Sequence, residues 1–265
     1  MFPRSLFLMR PVFKLTLSLL FLSILIAAGY FIPRTVNFTL NAKQDDPKEA
    51  LYYQRLDNSQ VQCLLCPRRC VIPPGRRGFC GVRQNIDGTL YTLVYAKPVT
   101  LTLHDPIEKK PLFHFFPSAL TFSVATAGCN LRCKFCQNWE ISQARPEETH
   151  NFAFSPAAIV QAAQRAGCPS IAHTYVEPMI FYEYMRDIAR LSQKAGIINV
   201  CHTAAYINPK PLEELSPLLQ AACVDLKGFT ETFYRDLVGA SLAPVLEALK
   251  ILRRQGVHLE IVNLV

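Results

Sequence analysis

Three cysteines within eight residues constrain this chain more than any other feature: Cys129, Cys133 and Cys136 in Gly128-Cys129-Asn130-Leu131-Arg132-Cys133-Lys134-Phe135-Cys136. The loop follows an apolar, strand-like run, Leu120 to Thr126. Thiols this close call for a metal, because thiolates select zinc, copper(I) or iron-sulfur clusters and a compact loop wraps three ligands round one centre. No fourth ligand stands nearby in the sequence. A structural zinc site is closed by four protein ligands, whereas a cluster on three cysteines keeps one iron open. The spacing points to an open cluster, with a zinc loop closed by a distant histidine as the alternative.

The 265 residues suffice for one large domain or two small ones. Ten cysteines would suit an oxidised scaffold in a short chain, but seven of them fall in two metal-type groups, which points to reduced thiols. The formal charge of +8 comes partly from Arg4, Arg10, Lys14 and Arg34, and from Arg68, Arg69, Arg76, Arg77 and Arg83. No basic helix stripe or nucleic-acid fold accompanies it, so a solvated surface is favoured over a nucleic-acid partner. Leu15 to Ile32 is uncharged and mostly apolar, long enough to cross a bilayer as a helix. It reads as a membrane anchor or uncleaved signal, with a cleaved signal near Ala27-Ala28-Gly29 as the alternative, and it makes the protein membrane-associated. Arg4, Arg10 and Lys14 favour a cytoplasmic N-terminus, which would send the rest across the membrane. That conflicts with a reduced metal centre. The expected organisation is an anchor over 1–36, a polar spacer over 37–62 with a short helix near Pro47 to Leu56, a cysteine-rich β segment over 63–118, and a core over 119–265.

In the third segment, Cys63, Cys66, Cys70 and Cys80 lie among turn residues. Four thiols on a loop-rich stretch complete a zinc site or hold an auxiliary iron-sulfur cluster, and disulfides compete only if the domain is exported. Asp87-Gly88 signals a hairpin, and Thr89 to Tyr95 and Val99 to Leu103 alternate as strands. His104 to Phe115, rich in charge and proline, reads as a loop.

Beyond the triplet the pattern alternates. Ser155-Pro156 opens a helix that Gly167 closes, Ser170 to Tyr175 is a strand, Met179 to Ala195 is a helix with one apolar face, and Gly196 ends it. Ile197 to Cys201, Ala221 to Leu226 and His258 to Val265 are further strands, with a helix over Ser241 to Gln255. The fold class is α/β with parallel strands. Functional groups collect at strand ends in such folds, and Cys129, Glu177, Thr203, Asp225 and Lys227 all stand there. Glu177 before a proline could equally cap a helix, and Asp225 with Lys227 could be a solvated strand end. Cys168, Cys201 and Cys223 read as buried core thiols.

The triplet with Phe135 before its last cysteine resembles the radical S-adenosylmethionine (SAM) enzymes. Together with Cys63 through Cys80-Gly81-Val82-Arg83, the DPIEKKPL stretch and GCNLRCKFCQNWEIS, it looks like the radical SAM protein of the AmmeMemoRadiSam system, a relative of the pyruvate formate-lyase activating enzymes. The resemblance runs from about Cys63 to the end. It implies a 4Fe-4S cluster on Cys129, Cys133 and Cys136 whose open iron is chelated by SAM, reductive cleavage to a 5'-deoxyadenosyl radical, Phe135 near the adenine, Glu177 at the SAM amino group, and Asp225 with Lys227 near its carboxylate and ribose. It also implies an electron donor of the flavodoxin or ferredoxin type and an unassigned small-molecule or protein substrate. A glycyl-radical-enzyme activase and a non-catalytic, membrane-tethered metal-binding or redox module are the alternatives. One departure stands out: where the family has an Asn-Gly-Tyr turn, this chain has Thr203-Ala204-Ala205-Tyr206. The family barrel has six β/α units, and five strands are countable from Leu120. A partial (β/α) barrel, truncated after Val265, is the expectation.

Overall fold

The computed structural model describes residues 47–263. Its first part is all β. Strands β1 (Lys48–Glu49), β2 (Tyr53–Arg55), β3 (Val61–Cys63), β4 (Val71–Ile72), β5 (Arg83–Ile86) and β6 (Thr89–Thr92) form two antiparallel sheets, ordered β1-β6-β5 and β2-β3-β4. The Asp87-Gly88 turn joins β5 to β6 with both residues at positive φ, as a tight hairpin turn requires. The helix expected near Pro47 to Leu56 is replaced by β1 and β2, whose partners lie far along the chain: Lys48 faces Thr92, and Tyr53 faces Cys63. Ala50 and Val61 are buried, so residues 47–62 belong to the folded body and are not a spacer.

The second part is a six-stranded sheet of order β12-β11-β10-β9-β8-β7, made of β7 (Thr100–Pro106), β8 (Leu120–Ala125), β9 (Ser170–His173), β10 (Ile198–Thr203), β11 (Ala221–Asp225) and β12 (His258–Val262). Strands β8 to β12 are parallel, and β7 pairs antiparallel with β8, with a bulge between Thr102 and Asp105. The stretch read as a loop therefore begins as strand, because His104 to Pro106 completes β7. Among the described residues β12 pairs only with β11.

Helices α1 (Trp139–Ser142), α2 (Pro156–Arg165), α3 (Tyr182–Lys194), α4 (Pro209–Leu215), α5 (Glu231–Phe233) and α6 (Ala243–Arg254) connect the parallel strands, with a π turn over Tyr234–Val238. Local chemistry sets their ends. The Ser155 hydroxyl accepts from the Ala158 N–H at 3.2 Å and Pro156 occupies the first turn of α2. On α3, Tyr184, Met185 and Ile188 are buried, and Gly196 at φ +71° follows its end. Strand β9 is buried throughout and β8 nearly so, which explains why they read as continuous apolar runs.

The two parts share a buried ion pair. Arg83 on β5 binds Glu183 on α3, each about 1% exposed, and Glu183 Oε1 also accepts from the Leu51 N–H at 2.7 Å. Arg83 Nη1 donates to the Leu51 carbonyl at 2.8 Å.

The membrane expectation is corrected: among the described residues no helix is long and apolar enough to cross a membrane. The run Leu15 to Ile32 that prompted it lies outside the described residues.

Candidate functional site

A pocket of about 520 Å³ opens at the C-terminal ends of the parallel strands. Cys129, Cys133, Phe135, Cys136, Glu177, Asp225 and Lys227, which sequence reading singled out separately, all line it.

The cysteine loop leaves β8 through Gly128 at φ +88°, where the chain passes so close to its neighbour that a Cβ would sit 2.4 Å from Val82 Cγ1 and 2.7 Å from the Cys80 carbonyl oxygen. Only glycine fits there. Arg132 then ties the loop down from inside: its Nη1 donates to the carbonyls of Cys129 (2.8 Å) and Leu131 (2.7 Å), and its Nη2 to that of Phe79 (2.6 Å). The N–H groups of Arg132 and Lys134 donate to Val238 and Leu237 in the π turn, both at 2.9 Å. Cys129 is buried, Cys133 and Cys136 half-buried. The Leu131 N–H donates to Cys129 Sγ at 3.4 Å, and Cys136 Sγ lies 3.2 Å from Ser142 Oγ.

Burial and the Glu177 charge push the Cys129 thiol up to about 12, and burial pushes Cys133 up to about 11, with Lys227 acting to lower it. Thiols so placed give up their protons to a bound metal and not to water. Among the described residues no three His, Cys, Asp or Glu side chains converge closely enough for a single ion. The donor set, three thiols on the wall of a roomy pocket, fits a polynuclear cluster with an open face better than a closed zinc site.

Glu177 is 3% exposed, and its carboxylate is enclosed by donors. Oε1 accepts from Thr203 Oγ1 (2.5 Å) and the Met179 N–H (3.2 Å), and Oε2 from the Ala204 N–H (2.8 Å). It thus caps the 3-10 turn Pro178–Phe181, as the simpler reading held, and also bridges to the end of β10. Burial raises its pKa in spite of these donors.

Across the pocket floor Asp225 accepts from His202 Nε2 at 2.7 Å and from Lys227 Nζ at 2.9 Å. Burial would raise the Asp225 carboxyl, but these two partners bring it down to about 2. Burial would likewise lower Lys227, and Asp225 outweighs it, so the ammonium stays charged. Lys227 therefore has Asp225 as its ion partner and does not pair with Glu177. Phe135 stands on the wall with its ring 6.1 Å from that of Phe233.

The Thr203-Ala204-Ala205-Tyr206 turn keeps a left-handed residue without a glycine: Ala205 has φ +53°, and its N–H donates to Thr203 Oγ1 at 2.8 Å. A left-handed alanine is held there at a cost in strain.

Sequence reading missed a second group. His202 lines the pocket, as do Lys109 and Tyr175. Tyr175, at φ +67°, is fixed by a buried hub: Asp105 Oδ2 accepts from its hydroxyl (2.5 Å), from Lys110 Nζ (2.5 Å) and from Ser123 Oγ (3.0 Å), while Lys109 Nζ lies 3.1 Å from Oδ1. Asn138 Nδ2 holds the Tyr175 carbonyl at 2.8 Å. His202 was findable as the neighbour of a strand-end threonine. The hub was not, since its members come from β7, β8 and the turn after β9.

Comparison with known proteins gives the family. The family model of the Radical SAM superfamily matches residues 123–265. The uncharacterized protein MJ0808 of Methanocaldococcus jannaschii is 44% identical over 218 residues, 82% of this chain, and the chain spans 64% of that protein's length. The uncharacterized protein MJ0674 of the same organism is 26% identical over 98 residues, covering 36% of this chain and 24% of that protein. A solved structure of TYW1 with a lysine-pyruvate adduct bound overlaps 59% of this chain and 69% of its own, with a TM-score of 0.39 and 14% identity. The matched residues run from within β8 through β12 and include the cysteine loop: the chain belongs to the radical SAM superfamily, which implies a 4Fe-4S cluster and SAM.

Proposed function

We propose that the pocket is a radical SAM active site, with Cys129, Cys133 and Cys136 as the cluster ligands, Glu177 at the SAM amino group, Lys227 with Asp225 at its carboxylate and ribose, and Phe135 beside the adenine. The observation that carries this reading is the meeting of all seven side chains in one pocket. When bound, the reduced cluster and SAM supply a 5'-deoxyadenosyl radical. The chain's own work is positioning. Glu177 is already held by three donors, so it receives an ammonium without reorganising. The Asp225–Lys227 pair presents a cation whose position is fixed by its counter-ion. Burial of Cys129 and Glu177 keeps water from the inner wall.

Within the superfamily we place the chain with the radical SAM protein of the AmmeMemoRadiSam system. The DPIEKKPL stretch supports this, because Lys109 and Pro111 reach the pocket and Asp105 and Lys110 fix Tyr175 beside it. A flavodoxin- or ferredoxin-type carrier supplies the electron. The test is anaerobic reconstitution with iron, sulfide, reductant and SAM, which should release 5'-deoxyadenosine. Cys133→Ala should lose the 4Fe-4S signal and SAM cleavage together, and an intact SAM-responsive cluster in that variant would refute the ligand assignment.

A further inference from the structure

Of the seven thiols outside the pocket, Cys168, Cys201 and Cys223 are buried in the core and the other four stand together. Cys63 ends β3, Cys66 and Cys70 lie in the loop to β4, and Cys80 lies between β4 and β5, yet all four line one small cavity and none is in a disulfide. The surrounding groups are donors. Arg83, 1% exposed, directs Nη1 to Cys63 Sγ at 3.7 Å, and its buried Nε has no hydrogen-bond partner among the described residues. Arg68 and Asn130 line the same cavity. A buried guanidinium with further donor groups around the sulfurs is the environment of a thiolate-bound anionic centre.

The arrangement also bears on which centre. Zinc with Zn–S bonds of about 2.3 Å draws tetrahedral sulfurs to about 3.8 Å of one another. Among the described residues no three such side chains converge on a single ion, and the same holds for Cys129, Cys133 and Cys136, which the family implies as ligands of a 4Fe-4S cluster. Four thiols on one cavity without that convergence match a polynuclear group.

The cavity backs onto the SAM-site loop. Asn130, next to Cys129, lines it, and Arg68 Nε donates to the Asn130 carbonyl at 2.7 Å. The Phe79 ring is held between Arg68 (3.4 Å) and Arg132 (4.2 Å), so one aromatic ring joins the two cysteine segments.

We propose that Cys63, Cys66, Cys70 and Cys80 bind a second 4Fe-4S cluster, closed by four thiolates and therefore unable to take SAM, packed directly against the loop of the first. Its ligation does not depend on the SAM chemistry proposed above.

The full chain, reconstituted anaerobically, should contain about eight irons and no stoichiometric zinc, four for each 4Fe-4S cluster. Changing Cys129, Cys133 and Cys136 together to alanine should leave about four irons with an EPR signal that SAM does not move. Changing Cys63, Cys66, Cys70 and Cys80 to serine should leave only the SAM-responsive signal. One zinc per chain bound at these four thiols, a disulfide among them by mass spectrometry, or about four irons in the unmodified chain that all respond to SAM would overturn the second cluster and leave the first standing. If the triple alanine variant does not fold, the iron and zinc content of the unmodified chain decides alone. A SAM-insensitive cluster in an unmodified chain that fails to cleave SAM would support the second centre while removing the function proposed for the first.

Discussion

Glu177 shows how one side chain serves packing and chemistry together. Its three donors make it a structural bridge, and its charge bears on the Cys129 thiol at the head of the cysteine loop. Glu177→Gln keeps the shape but loses the charge, so the cluster should remain while SAM binds about 1–3 kcal/mol more weakly, the worth of a charge-assisted hydrogen bond. Calorimetric titration checks this, and unchanged affinity would reduce Glu177 to its cap. Asp105 carries a different kind of weight. Burial alone would raise its carboxyl, but hydrogen bonds from Lys110, Tyr175 and Lys109 outweigh burial and hold it well below the ordinary carboxylate range. Because the folded value lies below the unfolded one, this stabilisation is complete above about pH 4 and is lost as the pH falls through the unfolded value towards the folded one. Asp105→Asn should cost about 3–5 kcal/mol near neutral pH, since it strands the buried Lys110, and should flatten the acid limb of the stability curve. Adding Lys110→Met should restore part of the loss, as urea midpoints of the single and double variants would show; strictly additive losses would count against the hub.

At the scale of elements, Gly128 and Gly196 offer a controlled contrast. Both have positive φ, but a Cβ at Gly196 meets nothing within 4 Å, whereas one at Gly128 collides with Val82 and the Cys80 carbonyl. Gly196→Ala should cost about 1–2 kcal/mol of backbone strain and keep the iron. Gly128→Ala should displace the cysteine loop and lower iron content as well as melting temperature, and equal behaviour of the two variants would argue against a fitted crossing. The same physics decides what the sequence disclosed. Strands β8 to β11 were legible because burial on both faces writes an apolar run, and α3 because one buried face repeats through Tyr184, Met185 and Ile188. The site residues were legible because parallel strands deliver their ends to one rim. Strands β1 and β2 were not, since Lys48–Glu49 and Tyr53–Arg55 are short, mostly exposed and defined by partners far along the chain. Nor was the charged end of β7, where Asp105 is a strand residue because Lys110, Tyr175 and Ser123 supply its donors. Lys227 was legible as a strand-end residue, but its ion pair with Asp225 was not, because sequence order does not show which side chains meet.

For the molecule as a whole, the β part and the parallel sheet are joined by charge as well as by packing. Arg83 and Glu183 are buried on opposite sides of that junction, and removing either leaves the other as an uncompensated interior charge. Strand β7 reaches across in the same direction to pair with β8. Between them the chain passes through the exposed stretch 116–118, where the backbone lies open to solvent. A cut there would yield two polypeptides, one carrying β1 to β7 with Arg83 of β5, the other β8 to β12 with Glu183. Each half would be unable to satisfy its own interior, so neither should fold alone, while the two produced together should reassemble into a single particle that purifies at one-to-one stoichiometry. In that sense the protein is a heterodimer whose subunits happen to be joined by a peptide bond.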